Sequence, residues 1–139
     1  MASAIGYYGN RDDEELTEDS PPGDGFLTET VIQWESYADS ARDAGIRVVN
    51  TRNGIVLSAA GGALGRMLLP WKMGGGGPLA GGKQWMSWIS LDDEIYAIHH
   101  LMMNLDCEGA FNLTAPEPLR QKTFSKTLAK VLRRPAFAP

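Results

Sequence analysis

Phe26-Leu27-Thr28-Glu29-Thr30-Val31-Ile32-Gln33-Trp34-Glu35-Ser36-Tyr37-Ala38-Asp39-Ser40-Ala41-Arg42-Asp43-Ala44-Gly45-Ile46-Arg47-Val48-Val49-Asn50-Thr51 decides the fold class of this chain. Leu27, Val31, Trp34, Ala38 and Ala41 recur at three- and four-residue spacing, with Glu29, Gln33, Glu35, Asp39 and Arg42 between them. That is the pattern of a helix burying one stripe, and it predicts a single amphipathic helix over 26–44. Gly45 stands where a left-handed residue closes a helix at little cost. Ile46-Arg47-Val48-Val49-Asn50-Thr51 then reads as a strand rich in β-branched residues. A helix followed within two residues by a strand is the rhythm of an α/β unit, so a parallel sheet is expected.

Upstream, Ala2-Ser3-Ala4-Ile5 reads as the tail of a strand that begins before Met1, because strands average about five or six residues. Asp12, Asp13, Glu14, Glu15, Glu18 and Asp19 then make an acidic segment closed by Pro21-Pro22-Gly23-Asp24. Such a segment is a surface loop, read as a solvated charge run in preference to a lid.

Downstream, Asn53-Gly54 interrupts the strand and Ile55-Val56-Leu57 resumes an apolar run, a break that can bend the backbone toward a ligand. A short helix is expected from Gly62 to Leu69, stopped by Pro70. Gly74–Gly77 with Gly81 and Gly82 suggest a phosphate cradle, but such a cradle follows a strand and opens a helix, and Gly82-Lys83 leads to Gln84 and a strand. Trp85, Ser87 and Ile89 are expected to alternate with Met86, Trp88 and Ser90 on one short strand. The next helix carries Ile95, Ile98 and Met102, with Asp92 and Asp93 placed as caps at its positive end in preference to a catalytic pair. His99 and His100 are adjacent on it and point about 100° apart, which disfavours chelation of one ion. Ala110-Phe111-Asn112-Leu113-Thr114 reads as a last strand, and Pro116-Glu117-Pro118 leads to a final helix. Phe124, Leu128 and Val131 are expected on one of its faces and Lys122, Lys126 and Lys130 on a solvated one. Arg133 to Pro139 reads as an ending without a cap.

Composition narrows the function classes. The chain has 139 residues, 43% of them hydrophobic and 22% charged, which fits one small soluble domain. A formal net charge of −4 argues against a nucleic-acid partner. The apolar runs fall short of the roughly 20 residues that span a bilayer, and the start lacks a secretory pattern, so no membrane role and a cytoplasmic location are expected. Cys107 is the sole cysteine and has no thiol partner for a disulfide or metal clamp, so no metal is expected.

Ser3-Ala4-Ile5-Gly6-Tyr7-Tyr8-Gly9, Trp34-Glu35, Arg52-Asn53-Gly54-Ile55-Val56-Leu57, Gly61-Gly62-Ala63-Leu64, Gly76-Gly77-Pro78-Leu79 and Gln84-Trp85-Met86-Ser87-Trp88-Ile89 together resemble the epimerase family of atypical extended short-chain dehydrogenase/reductases, which are NAD-dependent epimerase/dehydratase-like proteins. Similar blocks run from Ser3 to Ala138. The resemblance implies the second half of a Rossmann-like, NAD(P)-binding α/β fold: residues 1–57 ending its sheet and residues 58–139 an incomplete substrate-side region, in one truncated domain. The glycine-rich turn that would hold the dinucleotide pyrophosphate would lie upstream of Met1.

What the resemblance implies about chemistry transfers in part. Extended members carry Tyr-x-x-x-Lys on the helix after the fifth strand, where the lysine helps the phenol exchange a proton with substrate. Aligned on Trp34-Glu35, those positions are Leu27 and Val31, which move no proton. Ser3 and Tyr7 remain as candidate catalytic residues, with Tyr8 as the other phenol that could stand nearby, and a packing or turn role is the competing reading for Ser3 and Tyr7. By resemblance NADP is the cofactor, and Asn53, Gly54, Ile55 and Val56 are its candidate contacts, against the reading of a buried strand. Trp85 and Trp88 are candidates for lining a cleft for a small-molecule substrate, or for filling the core. The function expected is a nucleoside-diphosphate-sugar epimerase-like or oxidoreductase-like protein, inactive alone; the alternative is a non-catalytic binding or assembly module. A sheet lacking its earlier strands would expose an edge, so a homodimer or a complementing N-terminal half is the expected partner.

Overall fold

The computed structural model describes residues 1–136. In chain order its elements are β1 (Ala2–Ala4), a 3₁₀ turn (Ile5–Tyr8), α1 (Phe26–Ser36), α2 (Asp39–Asp43), β2 (Val49–Asn53), β3 (Ile55–Ser58), α3 (Gly62–Lys72), a second 3₁₀ turn (Ala80–Gly82), β4 (Trp85–Met86), β5 (Trp88–Ser90), α4 (Leu91–Met103), β6 (Gly109–Leu113), β7 (Leu119–Arg120) and α5 (Gln121–Leu132). They divide into two compact units: Met1–Gly54 with Asp92–Leu113, and Ile55–Leu91 with Thr114 onward.

In the first unit a three-stranded sheet runs in the order β1-β2-β6, parallel throughout, with Ser3 opposite Arg52 and Arg52 opposite Asn112. The expected parallel α/β unit is therefore present: β1 reaches β2 through α1 and α2, the kind of crossover that parallel neighbours require. The helix expected over 26–44 is two helices. Tyr37 and Ala38 bond back to the carbonyls of Trp34 and Glu35, three residues earlier, which tightens the chain out of α geometry before α2 starts. The following strand starts later than expected. Gly45, at φ 74°, lets its own amide bond Arg42 and that of Ile46 bond Ala41, so Ile46 closes the helix and stays 60% exposed. Arg47 is also withdrawn from the sheet; its guanidinium donates to the carbonyls of Leu101, Met102 and Cys107 and satisfies the end of α4. Tyr8, Val31, Ala38, Val48, Leu101 and Leu113 form the buried apolar core.

In the second unit β3 pairs in parallel with β5, and β4 pairs antiparallel with β7. The single strand expected around Trp85–Ser90 is thus two, in different sheets, because Ser87 turns between them and gives its carbonyl to the Ile55 amide. Pro70 lies inside α3 and does not stop it at Leu69; it sits one turn from the end, where Met73 bonds Leu69 and Gly75 bonds Pro70. The glycine run serves close packing. A Cβ on Gly76 would come within 2.1 Å of the Trp71 ring, and one on Gly82 within 2.7 Å of Lys122. On α5 the buried residues are Gln121 and Ser125, not Val131, which is 72% exposed. Gln121 accepts from the Leu79 amide and donates to Ser125, whose hydroxyl reaches the Gly77 carbonyl. The helix does have a cap: Arg133 takes a left-handed conformation and its amide bonds Lys130. Phe137, Ala138 and Pro139 of the expected uncapped tail lie outside the described residues. Among the described residues no helix is long and apolar enough to cross a membrane.

Candidate functional site at the carboxyl ends of the parallel strands

In open α/β sheets ligands gather outside the carboxyl ends of the strands. In the first unit those ends carry Ser3, Arg52, Asn53 and Asn112, and the turn after β1 adds Tyr7 and Tyr8. Three consecutive residues of the central strand, Asn50, Thr51 and Arg52, are polar and buried. A buried arginine needs partners, and Arg52 has a full set.

Arg52 is 4% exposed and makes a two-pronged ion pair with Glu35 of α1, Nε and Nη2 each lying 2.9 Å from a carboxylate oxygen. Ser3 donates its hydroxyl to the same carboxylate at 2.6 Å. The other guanidinium nitrogen, Nη1, donates to the Tyr8 hydroxyl at 2.9 Å, and that hydroxyl donates to Asn112 Oδ1 at 2.7 Å. The guanidinium also lies 3.5 Å from the centre of the Tyr7 ring, which meets the Tyr8 ring edge to face. β1, α1, β2, β6 and the 3₁₀ turn are thus joined in one polar network around Arg52.

Charge follows geometry. Burial raises the Glu35 carboxyl, but the hydrogen bonds from Arg52 and Ser3 and the Arg52 charge outweigh it and hold the group below its ordinary range. Burial lowers Arg52, and the hydrogen bonds with Glu35 and Tyr8 more than reverse that, so the pair is ionised. Glu94 of α4 differs: burial raises it, and its Oε2 has no partner among the described residues.

The acidic loop is not merely solvated. Glu18 accepts the Asn112 amide on its carboxylate at 2.7 Å, and its carbonyl lies 3.4 Å from Arg52 Nη1. Gly23 donates to the Tyr7 carbonyl, and a Cβ there would fall 2.2 Å from the Tyr8 carbonyl oxygen, so only glycine admits this approach.

The candidate residues are placed as follows. Ser3 is buried in the network and Tyr7 lies half-buried beneath Arg52. Leu27 is 68% exposed and Val31 is buried. Asn53 and Gly54 end the first unit, whereas Ile55 and Val56 open β3 in the second, paired with Trp88 and Ile89. Asn53 Oδ1 is buried without a hydrogen-bond partner among the described residues. Trp85 is 43% exposed beneath the Arg120 guanidinium at 4.0 Å, and Trp88 is half-buried with its indole donating to the Glu117 carbonyl at 3.2 Å. Asp92 and Asp93 lie within the first turn of α4, favoured there by the helix dipole. Among the described residues no cluster of His, Cys, Asp or Glu can hold a metal ion. Tyr8, an alternative to Tyr7 in the sequence, joins the network through its hydroxyl, whereas Arg52, Glu35, Asn112 and Glu18 were missed as site residues. The available signal was Arg52 itself, a charge directly after the run of β-branched residues, at the carboxyl end of a strand that the parallel sheet buries.

A parallel α/β sheet with its polar centre at the strands' carboxyl ends is the architecture of Rossmann-like NAD(P)-binding proteins. A solved structure of the human epimerase family protein SDR39U1 with NADPH is 34% identical and overlays 99% of the chain with a TM-score of 0.87, the chain covering 47% of it. The nucleoside-diphosphate sugar epimerase of Corynebacterium glutamicum is 38% identical with a TM-score of 0.87, over 94% of this chain and 28% of that one. An epimerase family protein of Staphylococcus epidermidis is 46% identical over 136 residues, which is 96% of this chain and 45% of the relative. No family model matches. The chain is similar to epimerase family proteins along nearly its whole length, and it spans about half the length of the curated relatives it matches.

Proposed function

We propose that this chain supplies the nicotinamide-facing and substrate-facing part of an NADP-linked, epimerase-like oxidoreductase acting on a nucleoside-diphosphate sugar. The observation that carries the proposal is Asn53 Oδ1, a buried acceptor left without a partner at the carboxyl end of the central strand, beside Gly54. A buried carbonyl without a donor is unfavourable by about 1–3 kcal/mol, and a ligand amide or hydroxyl would remove that cost. At the nicotinamide end of such a cofactor Asn53 is proposed to offer an acceptor, whereas the amides of Gly54 and Ile55 are already given to the carbonyls of Leu113 and Ser87. No segment of the chain fits its pyrophosphate. When bound, the cofactor would supply hydride transfer; the chain's own part is to hold and orient. With Leu27 and Val31 at the proton-transfer positions that the resemblance implies, Ser3 and Tyr7 are the hydroxyl side chains proposed nearest that role; the Ser3 hydroxyl is engaged by Glu35, and the Tyr7 ring, not its hydroxyl, lies against Arg52. Trp85 and Trp88 are proposed for the substrate side.

The same Leu27 and Val31 favour a second reading, a non-catalytic binding or assembly module. Titration of the chain with NADPH, followed by its fluorescence, separates the two. Saturable binding at micromolar cofactor, weakened about tenfold by Asn53→Leu, a loss of roughly 1.4 kcal/mol, supports the cofactor reading. Absence of binding at millimolar NADPH overturns it for this chain.

A further inference from the structure

The formal net charge of −4 averages over two units of opposite sign. The first unit holds sixteen of the seventeen acidic side chains and four arginines, whereas the second holds nine Lys and Arg against one acid, Glu117. An asymmetry of that size points to a polyanionic partner for the basic unit, whatever the sum over the chain. Its cations are organised. On α5, Lys122, Lys126 and Lys130 recur every four residues and are exposed, with Thr123 and Thr127 exposed beside them, while Gln121 and Ser125 are buried on the inner side. Gly82 packs against the Lys122 backbone and the Gln121 amide donates to the Gln84 carbonyl, which sets the exposed Lys83 beside the start of this row. Arg120, donating to the Lys83 carbonyl, adds a guanidinium there.

We propose that this row binds the phosphate backbone of a nucleic acid without reading its bases. Length argues for a polymer. At about 1.5 Å per residue the three α5 lysines extend along about 12 Å, and a nucleic-acid strand sets a charge about every 3.4 Å along its axis, so several phosphates lie on the row at once. A lone diphosphate would leave part of it unused. Thr123 and Thr127 add hydroxyls, which bond phosphate oxygens. An anionic bilayer fits less well. A helix lying on a membrane sinks an apolar face into it, but the exposed face of α5 offers one apolar side chain, Val131, and the opposite face is turned to the protein. Binding through lysines to phosphates is indifferent to sequence and weakened by salt. This inference stands apart from the proposed cofactor role.

The probes are dye-labelled oligo(dT) and oligo(U) of about 20 nucleotides, titrated with the whole chain in about 50 mM salt and followed by fluorescence anisotropy. Both should bind in the micromolar range. Lys83, Lys122, Lys126 and Lys130 on four phosphates give a slope of about −3 for log K against log salt on a single strand. Changing the three α5 lysines together, Lys122→Gln, Lys126→Gln and Lys130→Gln, should weaken binding at least tenfold and bring the slope to about −1. The same three changed to Arg should bind as the wild type does, with the circular dichroism of both variants unchanged. No binding at about 100 μM chain, below which even weak non-specific contacts register, or binding indifferent to the Gln changes, would overturn the proposal. So would displacement of the oligonucleotide by uridine diphosphate at equal phosphate concentration, which marks a small-anion site, or tighter binding to phosphatidylserine vesicles. A low-salt oligomer that the Gln changes dissolve would assign the row to a second copy's acidic unit instead.

Discussion

Arg52→Met is the most searching test of the polar centre. It leaves the Glu35 carboxylate, whose side chain is 13% exposed, with Ser3 as its remaining side-chain donor among the described contacts. Removing one partner of a buried pair costs about 3–5 kcal/mol. The residual exposure of Glu35 favours the lower end, and loss of the Tyr7 stacking adds about 0.5–1 kcal/mol. A cost near 4 kcal/mol is a large part of the 5–15 kcal/mol that holds a typical domain. At about 3 °C per kcal/mol for a chain of this size it lowers Tm by roughly 10 °C. Urea unfolding at pH 7, followed by circular dichroism, reads it directly. Because Glu35 is held below its ordinary value of 4.5, its contribution is fully present above that pH and fades as pH falls through the lowered value. The gap between wild type and Arg52→Met should therefore close on acidification. A cost under 1 kcal/mol at pH 7, or a gap unchanged in acid, refutes the reasoning.

Tyr8→Phe keeps the ring and removes the hydroxyl that links Arg52 to Asn112. The buried Arg52 and the half-buried Asn112 each lose a partner, so a loss of about 1–3 kcal/mol is expected in the same urea assay. Glu94→Gln should act in the opposite direction. Burial raises the Glu94 carboxyl, so the folded state is penalised as pH rises above the unfolded value and most fully above the raised one. The amide variant should have the higher Tm at pH 8, with the advantage vanishing below pH 4.5; a pH-independent difference would show that the carboxyl is not the cause.

The α/β class was legible because the switch from a helical repeat to β-branched residues at Gly45 is local, but the stripe expected to be buried is so only at Val31 and Ala38, while Leu27 is 68% and Trp34 47% exposed. What periodicity cannot carry is where local hydrogen bonds outbid regular ones. Tyr37 and Ala38 break a helix whose apolar pattern runs straight through them, and Ile46 and Arg47 have strand chemistry but are taken by the ends of α2 and α4. The division of Trp85–Ser90 into two strands is decided by partners, Ile55 and Arg120, far away in sequence. The polar centre was hidden for the same reason. Arg52 meets Glu35 across 17 residues and Tyr8 meets Asn112 across 104, and no spacing rule relates such positions.

A buried ion pair is weak evidence for stability, since well-packed apolar side chains often do as well. Its stronger consequence here is register. Side chains alternate between the faces of a strand, so a one-residue slip of β2 would turn Arg52 away from Glu35 and Tyr8 and bring Thr51 or Asn53 in its place. Neither can bond a carboxylate with two prongs. An apolar strand could slip at small cost, but a strand holding Arg52 cannot, because the slipped state buries two charges without partners. The double variant Glu35→Leu with Arg52→Met should therefore recover most of the stability lost in Arg52→Met while loosening the pairing of β1, β2 and β6. Amide NMR would then show doubled or broadened signals for Ser3 and Asn112 in a protein that unfolds near the wild-type urea midpoint; sharp single signals would assign the register to apolar packing instead.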